Sequence, residues 1–390
     1  MIRNFTITLF TLFFLVCCGG KSDSINTDLQ SIDLDLATKG KFSDIFDSVK
    51  YILLDASEQN PLVDPYNVKI VENRIFVRDW NTNQLFIFDN KGLLEVVIDA
   101  LGMGPGEYFQ MNDFQVKDES VFILDFYLNK IIQFDFSGKF IQESKHQPDN
   151  NSLYLGQGYK LLYMGYNPDP ERFNFIRENE NGSEGLVEFE KEKDNIGNLN
   201  SHIGFMDDLH GDFVYYNIPY STKVAVFDRE DGNLSKTLHF DFGKYNAETR
   251  ILKEEYETQV EVQTQRNLVL YLLAFFPFEK YFLTIFHQGA GHLHFVQLDK
   301  DLVVKSQIVD PENDLDQLSI YKIPWSFSEN EVVYLSRTSN FYNDYINVFA
   351  NQKVQLGNGD VHSFFNKYGD KLKEDNWMLI KFRVKNSFPN

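Results

Sequence analysis

The chain has 390 residues, with 37 Lys and Arg against 57 Asp and Glu, and a formal net charge of −20. A surface this acidic repels phosphate backbones, which excludes nucleic acid as the expected partner. The only cysteines are Cys17 and Cys18, so the folded part can hold neither a disulfide framework nor a Cys-ligated zinc site.

Residues 1–18 form one apolar run with a single charge, Arg3. Its apolar centre, Leu9 to Val16, is shorter than the roughly 20 residues a spanning helix needs. A basic start, an apolar centre and small residues after it read as an export signal. The end of the run, Leu15-Val16-Cys17-Cys18-Gly19-Gly20, resembles a bacterial lipobox. That resemblance implies cleavage after residue 17 and acylation of Cys18. Residues 18–37 are then expected to be a flexible tether and 38–390 the folded domain. Gly19, where Asp would retain a lipoprotein in the inner membrane, favours the outer membrane of the cell envelope.

Beyond the tether, Val49–Leu54 is the first strong strand signal. Two segments then repeat without a gap. Ile75-Phe-Val-Arg-Asp79 and Gln84-Leu-Phe-Ile-Phe-Asp89-Asn-Lys-Gly92 are followed, 46 residues later, by Val121-Phe-Ile-Leu-Asp125 and Lys130-Ile-Ile-Gln-Phe-Asp135-Phe-Ser-Gly138. A period of about 40–50 residues with several short strands per unit marks a propeller blade. Blade one is expected over 67–98 and blade two over 113–143. A weaker third spans 153–200, a fourth holds 212–216 and 223–228, a fifth 281–305, and a last 331–335 with 377–384. Asn246–Leu273, with Ile251, Leu252, Tyr256 and Val260 near helical spacing, and Val361–Glu374 read as two short helical insertions. The fold class is therefore all-β, a six-bladed β-propeller. The unpaired 49–54 strand should close the ring beside 377–384, burying an open sheet edge.

The block Leu101-Gly-Met-Gly-Pro-Gly-Glu-Tyr108, then Asp113-Phe114 and the strands ending at Asp135 and Gly138, resembles the six-bladed β-propeller lipoproteins of Bacteroidetes, distant relatives of NHL-repeat propellers. The resemblance implies a fold and a location more than a chemistry. Some NHL-like propellers are lyases or lactonases that use a metal in the central channel, but no equivalent of their ligand set is evident.

The candidate chemistry is sparse. Gly104 and Gly106 let their loop turn sharply and expose amides, which can aim Glu107 and Tyr108 at the channel mouth. Alternatively the loop is a hinge and Glu107 bonds backbone. Asp79, Asp113, Asp125 and Asp299 are expected near one rim, where carboxylates can bind Ca²⁺ or cap turns. His292 and His294 lie two apart on one strand face and, with His287, are weak metal candidates. The turn at Gly289–Gly291 instead suggests that both lie on a solvated face. No hydrolase motif appears and no cofactor is expected. The expected function is that of a monomeric, lipid-anchored binding or scaffolding module for a glycan, peptide or envelope protein. The alternative is a metal-assisted lyase or hydrolase working in the channel.

Overall fold

The computed structural model describes residues 27–390 apart from 147, 149, 166–172, 189–200, 249–250, 252–253, 255, 320–322, 356, 358–359, 387 and 389–390. The export signal, Cys18 and the first part of the tether lie outside the described residues.

Short apolar runs separated by turn residues give six antiparallel sheets. Blade one is Pro65–Val71, Arg74–Asp79, Leu85–Asp89 and Leu94–Ile98. Blade two is Met111–Lys117, Ser120–Asp125, Lys130–Asp135 and Phe140–Lys145, and blade three Ser152–Leu155, Tyr159–Tyr163, Phe173–Asn179 and Gly182–Glu188. Blade four is Phe205–Asp207, Phe213–Asn217, Lys223–Asp228 and Leu234–Asp241, and blade five Leu272–Pro277, Tyr281–Gln288, His292–Asp299 and Val304–Glu312. Blade six has Ser326–Ser328, Glu331–Arg337 and Trp377–Val384, with Phe46–Leu54 as its fourth strand. First strands of neighbouring sheets touch one another in succession, from blade six through one, two, three and four to five. They therefore line the axis of a six-bladed propeller.

The ring closes as the sequence predicts. Trp377 pairs with Leu54, Ile380 with Tyr51 and Val384 with Phe46 in an antiparallel ladder. Ile52 and Leu54 pack there with Val68, Val77, Phe86 and Phe88 of blade one, so the closing strand seals the seam between the last blade and the first.

The tether is shorter than expected. Thr27–Ser31 runs parallel to the outer strand of blade four, Leu29 opposite His239. Thr38–Lys41 runs parallel to the outer strand of blade five, Thr38 opposite Ile308. Ile32 and Leu34 between them are buried. An amphipathic segment that can satisfy its amides on two sheet edges and bury apolar side chains has no reason to stay free.

Both helical insertions are present, with changes. The first is Tyr256–Arg266, and Val260, expected on its apolar face, is exposed; Leu252 falls outside the described residues. Leu272–Pro277, partly read as helical, is the first strand of blade five. The second insertion is a pair of helices, Thr338–Phe349 and Val361–Tyr368, of which only the latter is predicted. The short first strands of blades four and six escape the sequence reading because three residues carry no periodicity.

The repeated turns explain themselves. Asp89 Oδ1 accepts hydrogen bonds from the amides of Lys91 at 2.8 Å and Leu93 at 2.9 Å, and Asp135 Oδ1 from those of Ser137 at 2.9 Å and Lys139 at 3.0 Å. Gly92 and Gly138 follow at φ +84° and +80°, a region that other residues enter at a cost. Asp299 makes the same pair of bonds in blade five, but there Leu302 takes the left-handed position at φ +65°.

Candidate functional site

Asp79 and Asp125 end the second strands of blades one and two and are fully buried. Asp79 Oδ2 accepts the amides of Val63 at 2.5 Å and Asp64 at 2.7 Å, and its Oδ1 that of Thr82 at 2.8 Å. Asp125 repeats the arrangement with the amides of Phe109, Gln110 and Leu128. Each carboxylate thus ties the link entering its blade to the turn between second and third strands. These links and turns lie on one face of the ring. Their acids are spent on backbone amides, which is the turn-capping role rather than the Ca²⁺ one. Asp299 lies in a turn between third and fourth strands, away from this face.

Asp113 is different. It lies on the first strand of blade two, buried in the channel wall. Its Oδ1 lies 3.4 Å from Lys69 Nζ and accepts the Phe114 amide, and its Oδ2 accepts the Leu153 amide of blade three at 3.0 Å.

The glycine loop folds on itself. Glu107 Oε2 accepts the Gly104 amide at 2.8 Å, and a Cβ on Gly102 would meet that same oxygen at 2.0 Å. The Gly106 amide donates to Glu143 Oε2 at 2.9 Å, which holds that carboxyl below its ordinary value. Tyr108 does not point to the channel mouth. It is fully buried, donating to the carbonyls of Asn83 and Ile98 at 3.0 and 3.1 Å. The loop is a blade junction.

The three histidines do not converge. His292 is exposed and its Nδ1 lies 2.7 Å from Asp310 Oδ2. His294, expected beside it in solvent, is 1% exposed. Its ring stacks on Phe286 at 5.1 Å, its Nε2 meets Gln288 Oε1 at 2.9 Å, and burial lowers its pKa to about 4. His287 pairs across the hairpin with Leu293, on the other face of the sheet from His292 and His294. Among the described residues no group of three or more His, Cys, Asp or Glu could hold a metal ion.

A feature that sequence reasoning missed occupies the channel mouth on the face of Asp79 and Asp125. Tyr66 lies 5.5 Å from Trp80 and 6.3 Å from Trp325, and Trp325 lies 4.9 Å from His202. His202 Nε2 lies 3.0 Å from the Pro324 carbonyl, so this nitrogen carries the proton. Burial lowers its pKa and keeps the ring neutral. Beneath these rings sits Arg78, 1% exposed. Its Cζ lies 4.7 Å from the Trp80 ring centroid and 5.6 Å from that of Tyr66. Burial lowers the guanidinium pKa to about 10, which still leaves it charged at neutral pH, and raises that of Tyr66. Asn67 joins blade one to the link before blade four through the His202 carbonyl at 2.9 Å. These rings come from positions 66, 80, 202 and 325, which only ring closure brings together.

A family model described as 6-bladed beta-propeller matches residues 20–335. The chain belongs to that family. Among solved structures it is similar to a Bacteroides fragilis protein termed exported by name only, at 14% identity over 93% of this chain and 100% of that one, with a TM-score of 0.64. It is also similar to a Bacteroides vulgatus protein at 10% identity (89% and 100% covered, TM-score 0.46) and to a streptogramin B lyase at 9% (86% and 98%, TM-score 0.42). Such likeness concerns the fold alone. No curated protein matches. Among the described residues no helix is long and apolar enough to cross a membrane.

Two clefts of the propeller lie away from the mouth. One of about 570 Å³ opens beside Tyr159, Lys160, Glu178 and Ser183. Another of about 580 Å³ lies beside the helices of blade six, lined by Tyr342, Phe365, Lys367 and Lys371. In the second, Lys371 is already paired with Asp55 at 2.7 Å.

Proposed function

We propose that this propeller is an exported binding module, lipid-anchored through Cys18, that takes a ligand at the mouth of its channel. The observation that carries the reading is the collar of Tyr66, Trp80, His202 and Trp325 above a buried polar wall. Aromatic faces with a few fixed polar groups are the usual makeup of a small-ligand site. A catalytic metal in the channel would need a cluster of ligands instead, and among the described residues no group of three or more His, Cys, Asp or Glu could hold one.

The test is a glycan and peptide binding screen of the full chain beside Trp80→Ala and Trp325→Ala. The ligand that scores should lose at least about tenfold in affinity in one of the two variants. Binding that survives both unchanged would sink the reading. The anchor has its own test: Cys18→Ala should move the protein into the aqueous phase in detergent partitioning, and continued membrane retention would count against acylation. With Thr27 held on blade four, the link from Cys18 spans at most about 30 Å at roughly 3.3–3.6 Å per residue. The outer edge of blade four is then the side nearest the bilayer.

A further inference from the structure

We infer that the propeller lies on its side against the bilayer, with the N-terminal wrap on blades four and five as its lipid-facing edge. The inference rests on the acylation of Cys18 proposed above and not on the ligand of the mouth.

The wrap sends its apolar side chains in two directions. Ile32 and Leu34 are buried in the large core cluster. Leu36, two residues on, is 71% exposed, and Leu29 is 62% exposed. Leu29 sits on the strand added to blade four, and Leu36 just before the strand added to blade five. Lys39 and Lys41 are exposed as well. Gly40 between them faces the protein, since a Cβ there would meet Ile308 Cγ2 at 2.7 Å. Alternation along the strand turns the two lysines outward.

Single exposed leucines are ordinary on a folded surface. The chain that precedes the wrap gives these two an occupant. The link from Cys18 to Thr27 spans at most about 30 Å at roughly 3.3–3.6 Å per residue. Acyl chains on Cys18 therefore hold this edge beside lipid at a high effective concentration, where a weak contact suffices. Leucine side chains gain by leaving water for the interface, and lysines reach from there to lipid phosphates.

Charge favours this edge over the rest of the surface. The chain carries −20, and an anionic leaflet repels such a surface. In the wrap, Asp28 is paired with Lys236 at 2.9 Å and Asp35 with Lys244 at 2.6 Å. Lys39 and Lys41 face Asp33 of the wrap, with Glu312 and Asp314 beside Lys41, so the edge is close to neutral. The outer strands form the perimeter of the ring and the first strands its axis. Contact through the perimeter lays the axis along the membrane, and the mouth opens sideways over the bilayer.

The experiment uses the acylated full-length protein in vesicles of phosphatidylethanolamine and phosphatidylglycerol. Cys17 and Cys18 are the only native cysteines; the first leaves with the signal and the second carries lipid, so one introduced cysteine carries a fluorophore alone. Labels are placed on Leu36→Cys, on Met103→Cys in the loop of the mouth face, and on Ile141→Cys in the outer strand of blade two. Nitroxide lipids should quench the label at position 36, whose emission should also shift to the blue, and leave those at 103 and 141 unchanged. A label on Thr38→Cys puts the leucines themselves on trial. It should be quenched beside the native leucines and lose that quenching when Leu29→Ser and Leu36→Ser are combined, in protein that still floats with the vesicles. Both leucines are exposed, so the serines leave the core intact. Equal quenching at 36, 103 and 141 in floating protein overturns the orientation and keeps the anchor. So does stronger quenching at 103 or 141 than at 36, or quenching at 38 that survives the two serines. Protein that does not float overturns the anchor and the orientation together.

Discussion

Blades four to six and the seam between blades two and three are built on different physics. In the first region one apolar cluster runs through three sheets, from Tyr215 and Leu238 through Phe275, Phe286 and Phe295 to Tyr334 and Phe382. The wrapping N-terminal chain adds Ile32, Leu34, Phe42, Ile45 and Phe46. In the second, the buried apolar side chains of the seam cluster are Leu124, Ile131, Leu153 and Leu162. Polar links join them. Lys117 Nζ donates to the carbonyls of Leu155 and Gly156, both at 2.9 Å, Gln115 accepts the Leu155 amide, and Asp113 that of Leu153. Burial of apolar area is the larger and more dependable contribution to stability, while a hydrogen bond exchanged with water nets only about 1 kcal/mol. The ring is therefore strong where its ends are clasped and weakest on the side that, among the described residues, no terminal segment wraps.

The comparison breaks most visibly if its clasp is removed. Deleting Phe46–Leu54 strips blade six of its fourth strand and exposes the seam with blade one. The loss should exceed the total stability of about 5–15 kcal/mol usual for a domain. The expected result is no cooperative thermal transition by circular dichroism, and an unchanged melting temperature would refute the clasp. Next in size, Phe275→Ala should cost about 3–5 kcal/mol and Leu153→Ala about 2–3 kcal/mol in denaturant unfolding. In native-state hydrogen exchange, Leu153→Ala should release Ser152–Leu155 before any strand of blade five. Uniform exchange around the ring would erase the distinction.

Acid should narrow the gap, because the strong half carries His294. Its folded pKa is lowered to about 4 by burial from an ordinary value of 6.5. The unfolded chain takes up the proton first, so the contribution of neutral His294 is whole above pH 6.5. It is lost as the pH falls from 6.5 towards 4, by about 2–3 kcal/mol at the lower end. His294→Asn should flatten the fall in melting temperature between pH 7 and pH 4.5, and an identical slope in the variant would contradict the burial argument. The smallest effect compares two copies of one turn. A Cβ on Gly92 would lie 1.9 Å from the Leu53 carbonyl oxygen in the closing strand, whereas one on Gly138 would meet Val96 Cγ1 at 3.1 Å. Both substitutions carry about 1–2 kcal/mol for the left-handed backbone. Gly92→Ala should cost more than Gly138→Ala by at least about 1 kcal/mol, measured by equilibrium denaturation.

The repeat itself was legible. Asp79 and Asp125 occupy equivalent positions in the sequence and make equivalent bonds in the fold. The role of Tyr108 was not legible, because a tyrosine in a glycine loop suits a buried anchor as well as an exposed contact. His294 was misread for a related reason. A hairpin turn identifies the strand face a residue shares, but not whether a neighbouring blade covers that face.

Local chemistry thus determined from the sequence alone most of the longer strands, the aspartate-capped turns and the blade period, since each depends on residues a few positions apart. Only the tertiary structure decided where the N-terminal chain wraps and which aromatic rings crown the channel. The four rings of the mouth are separated by up to 259 positions between Tyr66 and Trp325, and no local pattern distinguishes them from the many rings that pack between blades. Their common address exists only once the ring has closed.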